Sequence, residues 1–217
     1  HFDNCEYKNY DIESIKEFPK IINEIKGLRG LNVTIPYKEE IIPYLDKLSK
    51  TAKKIGAVNC VTISKKKKLK GYNTDYHGFK KSIKPLLKDH HKKALILGTG
   101  GASKAIAYAL RSLKIEYDFV SRTADEFQYK YEELDASIFE EYTIIINTTP
   151  VGTHPNVDDC PNLDYSLFTK KHIAYDLIYN PEETAFLRKA KAQGAVTKNG
   201  YEMLVLQAEK AWKIWNE

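Results

Sequence analysis

Ala94-Leu-Ile-Leu-Gly98-Thr-Gly100-Gly101-Ala102-Ser103 decides the fold of this 217-residue chain. An unbroken apolar run closed by glycine reads as a strand buried on both faces, since a strand with one wet face would alternate. The helical spacing that follows, over 102–113, makes the whole a strand–turn–helix unit. Gly98 permits a tight turn, Gly100 lets backbone approach a pyrophosphate, and Ser103 is small enough for close helix–strand packing. The helix N-terminus adds free N–H groups and the positive end of its dipole, which together favour a phosphate. A glycine-rich turn can be purely structural, but this one stands between strand and helix, where a dinucleotide would bind.

Further strands are predicted over 117–120, 143–147 and 173–179, with a helix over 182–193. At this spacing they argue for parallel crossover units. Upstream, the spacing predicts a helix over 12–25 interrupted at Pro19, a strand over 31–35, and helices over 38–48 and 49–55. Two extended segments, 58–63 and 69–72, flank Lys65 to Lys68, which reads as a solvated hairpin turn. Helical spacing resumes over 75–87. The last segment, 201–215, is an apolar helix long enough to leave the parallel domain, with Trp212 and Trp215 as packing residues. The fold class is therefore α/β with two domains: residues 1–88 and 200–217 form one α/β domain, and residues 89–199 a Rossmann-like parallel-sheet domain.

Composition removes several classes of function. No apolar run approaches the roughly 18 residues of a membrane span. Cys5, Cys60 and Cys160 are scattered and odd in number, so they read as free thiols of a cytoplasmic protein. His154 and His172 have no partner at metal-ligand spacing, and His77 reads as a surface residue. Thirty-four basic against 29 acidic residues leave a charge of +5, enough to steer a small anion and too little to argue for nucleic acid. The expected partner is a small molecule, bound by a monomer or homodimer.

The end of the second strand of the parallel domain selects the cofactor. A carboxylate there would accept from a ribose 2′-hydroxyl; this chain has Ser121-Arg122-Thr123 instead. A guanidinium between two hydroxyls suits a 2′-phosphate, so NADP is favoured. Asp125 and Glu126 follow, and read as the N-terminal charges of a short helix.

The first domain carries Asn32-Val-Thr34-Ile-Pro36-Tyr-Lys38, Gly56-Ala-Val-Asn59 and Gly71-Tyr-Asn73-Thr-Asp75-Tyr-His-Gly78. Hydroxyl, amides, carboxylate and ammonium in three short polar-ended segments suit a polyhydroxylated ligand. Taken singly, each could be a turn or a cap. Asn147-Thr-Thr-Pro150-Val-Gly152, Tyr175-Asp176-Leu-Ile-Tyr179-Asn180-Pro181 and Gly200-Tyr-Glu-Met203-Leu204-Val-Leu-Gln207-Ala208 complete the order. From about Gly30 to Trp215 the set resembles the shikimate dehydrogenases. That resemblance implies reversible reduction of 3-dehydroshikimate to shikimate with NADPH, in the route to chorismate. It makes Lys38 and Asp75 the catalytic pair and puts Thr34, Asn59, Asn73, Tyr179 and Gln207 around the substrate. Gly98, Thr99, Gly100, Gly101 and Ala102 would hold NADP with Ser121, Arg122 and Thr123, while Leu177 and Gly200 would lie near the nicotinamide.

Hydride reduction of a ketone leaves an alkoxide unless a proton arrives, and an ammonium beside the oxygen can supply it. The proton is assigned to Lys38, although pairing with Asp75 opposes the pKa lowering that a lysine base needs. The family usually has Asn at the place of Ser121 and a basic residue at that of Glu126. It also opens with a strand and a Ser-x-Ser loop for the substrate carboxylate. Neither precedes Leu31 here, so a native N-terminal segment is expected to be missing, leaving an exposed sheet edge. The alternatives are a quinate/shikimate dehydrogenase using NAD, a catalytically silent NADP-binding regulator on this fold, and another two-domain dehydrogenase; the last leaves the Asn59–Asn73–Asp75–Gln207 set unexplained.

Overall fold

The computed structural model describes residues 5–217, so the first four residues of the 1–88 segment lie outside it. Ser14 opens the first turn: its hydroxyl accepts from Lys16 N, and Glu17 reaches back to the Ser14 N–H at 3.1 Å. A short 3-10 turn (Ile15–Glu17) runs into α1 (Phe18–Glu24). The helix expected over 12–25 is thus shorter, and Pro19 starts it instead of breaking it. In a first turn the missing proline N–H has no intrahelical partner to lose.

Strand β1 (Gly30–Asn32) ends earlier than expected, because the chain turns at Thr34, whose carbonyl accepts from Tyr37 N at 2.9 Å. The helix expected over 38–48 does not form. Turns lead into a 3-10 segment (Ile42–Tyr44) and then β2 (Lys47–Leu48). Pro43 is the reason: inside an α-helix it would lack a donor and clash with the preceding turn. Helix α2 (Lys50–Ile55) is capped by the Ser49 hydroxyl, 3.1 Å from Ala52 N. Strands β3 (Cys60–Ile63) and β4 (Leu69–Tyr72) form the antiparallel hairpin around the lysine turn. The four strands lie in the order β1-β3-β4-β2, over a core of Phe18, Ile41, Ala52, Val58, Val61 and Leu69.

Helix α3 (Asp75–Ile83) joins this sheet to the second one. There follow β5 (Lys93–Leu97), α4 (Gly101–Ser112), β6 (Glu116–Val120), β7 (Gln128–Tyr129), α5 (Ala136–Glu141) and β8 (Ile144–Asn147). After a long loop come β9 (Ile173–Asp176), α6 (Ala185–Ala192), β10 (Val196–Lys198) and α7 (Tyr201–Trp215). The six strands are all parallel, in the order β10-β9-β8-β5-β6-β7. Strands β7 and β10 and helix α5 were not anticipated, being short and weakly patterned. Asp125 and Glu126 begin no helix; they lie in a loop where Asp125 Oδ1 accepts from Phe127 N at 3.0 Å.

One face of this sheet packs Ile96, Ile146 and Tyr175 against Phe79 and Ile83 of α3 and Ile106 and Leu110 of α4. The other face packs Leu95, Leu97 and Ile145 against Phe139, Phe168 and Phe186. Helix α3 is therefore built into the core of the parallel sheet, with the Phe79 and Tyr175 rings 4.9 Å apart. Removing a phenyl group so completely buried costs on the order of 3–5 kcal/mol. Helix α7 runs against α3 at Gly78, where a first side-chain carbon would stand 2.5 Å from the Met203 carbonyl oxygen. Its far end reaches the first sheet, where Trp215 Nε1 donates to Val61 O at 3.1 Å. No helix among the described residues is long and apolar enough to cross a membrane.

Candidate active site

The site begins at the turn after β1. Lys38 is fixed there by its own carbonyl, which accepts from Val58 N at 2.7 Å. Its ammonium donates to Asp75 Oδ2 at 2.7 Å, with both side chains largely covered at 14% and 8% exposure. Asp75 is the first residue of α3, where a carboxylate meets the positive end of the helix. Its other oxygen accepts from Asn59 Nδ2 at 2.8 Å. The same amide nitrogen donates to Thr74 Oγ1 at 2.9 Å and lies 3.3 Å from Gln207 Oε1 on α7, while Asn59 Oδ1 accepts from Thr74 N at 2.6 Å. Four segments distant in sequence thus meet in one polar network. A lysine ammonium carries three donors, so two of those on Lys38 are left for a ligand.

Asn73 sits beside this network but is turned into the protein. Its amide donates to Ala57 O at 3.1 Å and its oxygen accepts from Tyr76 N at 3.3 Å. Thr34 is exposed in the turn after β1, and Tyr179 is exposed in the loop after β9. His77 lies among Lys81, Lys210 and Lys213; burial first, and those cations next, hold its pKa below the usual histidine value.

The glycine loop ends β5 at the switch point where β6 lies on one side and β8 on the other, the usual ligand crevice of an open parallel sheet. Gly98 has φ +99°, a conformation L side chains rarely adopt, and a first side-chain carbon there would meet Thr149 Cγ2 at 2.9 Å. Thr99 and Gly100 are exposed, and a first carbon at Gly100 would find nothing within 4 Å. Gly100 caps α4 without a side-chain bond, leaving the first-turn N–H groups of Gly101 and Ala102 to the open loop mouth. Gly98 N donates to Val120 O at 2.9 Å, which brings the loop beside the end of β6. There Ser121 is buried, its hydroxyl accepting from Thr123 N at 3.2 Å, while Arg122 and Thr123 are exposed. Open space, free amides and an exposed guanidinium fit a dinucleotide with an extra phosphate.

Leu177 and Gly200 touch: a first carbon at Gly200 would stand 2.0 Å from the Leu177 carbonyl oxygen. Gly101 lies against Lys38: a first carbon at Gly101 would stand 3.3 Å from Lys38 Cβ. Lys104 on α4 also donates to Glu39 Oε2. Residues given no role from the sequence are Thr74, bonded to both Asn59 and Gln207, and the set Asn147, Thr149, Asp176 and Thr184 below the loops. The signal was available for the second set, since polar residues directly after two buried strands need partners.

A parallel sheet with a glycine loop at its switch point, facing a lysine–aspartate pair held by a smaller α/β unit, defines a two-domain dinucleotide-dependent oxidoreductase. Residues 3–61 match the shikimate dehydrogenase substrate binding domain. The NADP(+) shikimate dehydrogenase of Caldanaerobacter subterraneus subsp. tengcongensis is 42% identical over 207 residues, covering 87% of this chain and 72% of that enzyme. Among solved structures, shikimate dehydrogenase from Aquifex aeolicus superposes with a TM-score of 0.81 at 39% identity, covering 93% of this chain and 76% of that one. The shikimate 5-dehydrogenase of Thermus thermophilus, solved with NADP(H) and shikimate, gives 0.80 at 34% identity over 93% and 78%. The chain belongs to the shikimate dehydrogenase family.

Proposed function

We propose that the protein interconverts shikimate and 3-dehydroshikimate with NADP as the redox partner, on the route to chorismate. The observation that carries this reading is the contact of the glycine loop with the polar pair: Gly101 lies against Lys38, and Lys38 holds Asp75 at 2.7 Å.

When bound, NADPH supplies a hydride to the ketone carbon. Lys38 stands by the oxygen, stabilises the negative charge that develops there, and passes it a proton; in the oxidative direction it takes the proton back. Asp75 holds and aims the ammonium. Each of its oxygens accepts one bond from the protein and has a lone pair left for a substrate hydroxyl. Asn59 and Gln207, fixed through Thr74, would wall the same hydroxyl-binding corner. Thr34 and Tyr179 would close on the substrate from their exposed loops, and Asn73 would reach it only by giving up its bonds to Ala57 O and Tyr76 N.

Gly98, Thr99, Gly100, Gly101 and Ala102 would take the pyrophosphate; Ser121, Arg122 and Thr123 the 2′-phosphate; Leu177 and Gly200 would flank the nicotinamide. The proposed substrate-binding domain spans 1–88 and 200–217, with cofactor binding by 89–199. The free thiols of Cys5, Cys60 and Cys160 agree with a reducing cytoplasmic setting.

NADP-dependent oxidation of shikimate by the purified protein, with quinate and NAD as parallel arms, tests this reading. Preference for shikimate with NADP supports it. Quinate with NAD as the better pair would replace it, and NADP binding without turnover of either acid would make the protein a ligand-binding regulator.

A further inference from the structure

Asp176 ends β9 with its carboxylate fully buried, although it lies in neither proposed ligand site. Three protein donors meet it. Thr184 Oγ1 donates to Oδ2 at 2.6 Å, while Ile178 N and Asn147 Nδ2 donate to Oδ1 at 3.0 and 3.1 Å. Each donor belongs to a different structure. Asn147 ends β8 and holds Thr149, its Oδ1 accepting from Thr149 N at 3.1 Å and from Thr149 Oγ1 at 2.6 Å. Ile178 is in the loop 177–181, and Thr184 caps α6, accepting from Leu187 N at 3.3 Å.

A desolvated anion is costly to keep unless such donors surround it, and it then fixes whatever carries them. What it fixes here are the loops proposed above to hold the cofactor. Thr149 lies under Gly98, and Leu177 O abuts Gly200. We infer that Asp176 is a positioning residue, setting the loop 177–181 and the turn after β8 at the places where the nicotinamide end of the cofactor must dock. This rests on the proposed function above.

Burial, opposed by the bonds from Thr184, Ile178 and Asn147, pushes the Asp176 carboxyl up to about 6. The titratable side chain facing it from the neighbouring 3-10 turn (Tyr165–Leu167) is the Tyr165 phenol, itself held above its usual value mainly by burial. Beyond that ring Lys189 lies 5.1 Å from its centroid and 3.1 Å from Cys160 Sγ. A proton on Asp176 Oδ2 would displace the Thr184 hydrogen and loosen the α6 cap from the loop.

The test is the KM for NADP, set beside kcat and the pH profile, in wild type, Asp176→Asn, Thr184→Val and Thr184→Ser. Shikimate turnover by wild type must be present; its absence overturns the proposed function and leaves positioning to be read from NADP affinity by calorimetry. Expected are a KM for NADP raised at least about tenfold in Asp176→Asn and Thr184→Val, near-normal values in Thr184→Ser, and loss of the acid limb near pH 6 in Asp176→Asn. A purely structural role would lower the active fraction, and so the apparent kcat, at an unchanged KM and pH profile. That outcome, or unchanged kinetics throughout, overturns the inference. Should Asp176→Asn fail to fold, the Val and Ser pair at Thr184 carries the same decision.

Discussion

Lys38 and Gly101 stand in contact where the glycine loop meets the turn after β1: a first side-chain carbon on Gly101 would lie 3.3 Å from Lys38 Cβ. The group proposed to move the proton and the turn proposed to hold the cofactor are thus parts of one surface.

Asp75 is the anion that holds and directs the Lys38 ammonium. Asp75→Asn keeps the shape and removes the charge, so kcat for shikimate oxidation should fall by about 10²–10⁴, the usual worth of a placed acid–base group. NADP affinity, measured by calorimetry, should change little. A kcat within a factor of about three of wild type would remove Asp75 from the chemistry.

Gly98→Ala forces a side chain into φ +99° and against Thr149 Cγ2 at 2.9 Å. Strain of this kind costs on the order of 1–3 kcal/mol, and relief means moving the loop. The expected result is a KM for NADP raised roughly tenfold or more, with the KM for shikimate nearly unchanged.

Arg122 is exposed at the end of β6 beside the Ser121 and Thr123 hydroxyls. A charge-assisted bond to a phosphate contributes about 1.5–3 kcal/mol, so Arg122→Gln should weaken NADP by roughly ten- to a hundredfold and leave NAD almost untouched. Equal losses for both cofactors would mean that Arg122 does not read the 2′-phosphate.

His91 and His172 are buried, and burial lowers both from the usual 6.5. Both rings accept at Nδ1, from Lys88 N and Thr169 N respectively, a role that requires the neutral form. A base depressed in the fold adds stability above its unfolded pKa, and that stability is lost as pH falls through the folded value. Asp176 has the opposite sign, since a raised acid favours folding as pH falls from about 6. His77 is lowered in the same direction, so with three histidines against one raised carboxyl the melting temperature should drop on acidification below about pH 6.5. The drop should be smaller in His172→Gln, as thermal scans across the range would show.

The parallel sheet was legible because buried strands such as 94–97 are continuous apolar runs, and helix α7 because its apolar spacing is unbroken from Tyr201 to Trp215. Helix 38–48 was misread because its apolar residues have helical spacing, whereas Pro43 and the pairing of β2 with β4 dictate turns and a strand. Tertiary pairing overrode local pattern there, as it did for β7 and β10, which are too short to show any period. Lys38, Asn59, Asp75 and Gln207 could be named from their motifs. Thr74 could not, because its value lies in bonding residues 15 and 133 positions away in the sequence.

The most direct measurement is kcat for NADP-dependent shikimate oxidation by Lys38→Met beside wild type, with NADP affinity measured on the same samples. A wild type that turns over, and a variant that binds NADP normally while losing about 10² or more in kcat, is the expected result. A variant that keeps wild-type kcat would contradict the role given to Lys38 and the chemistry built on it.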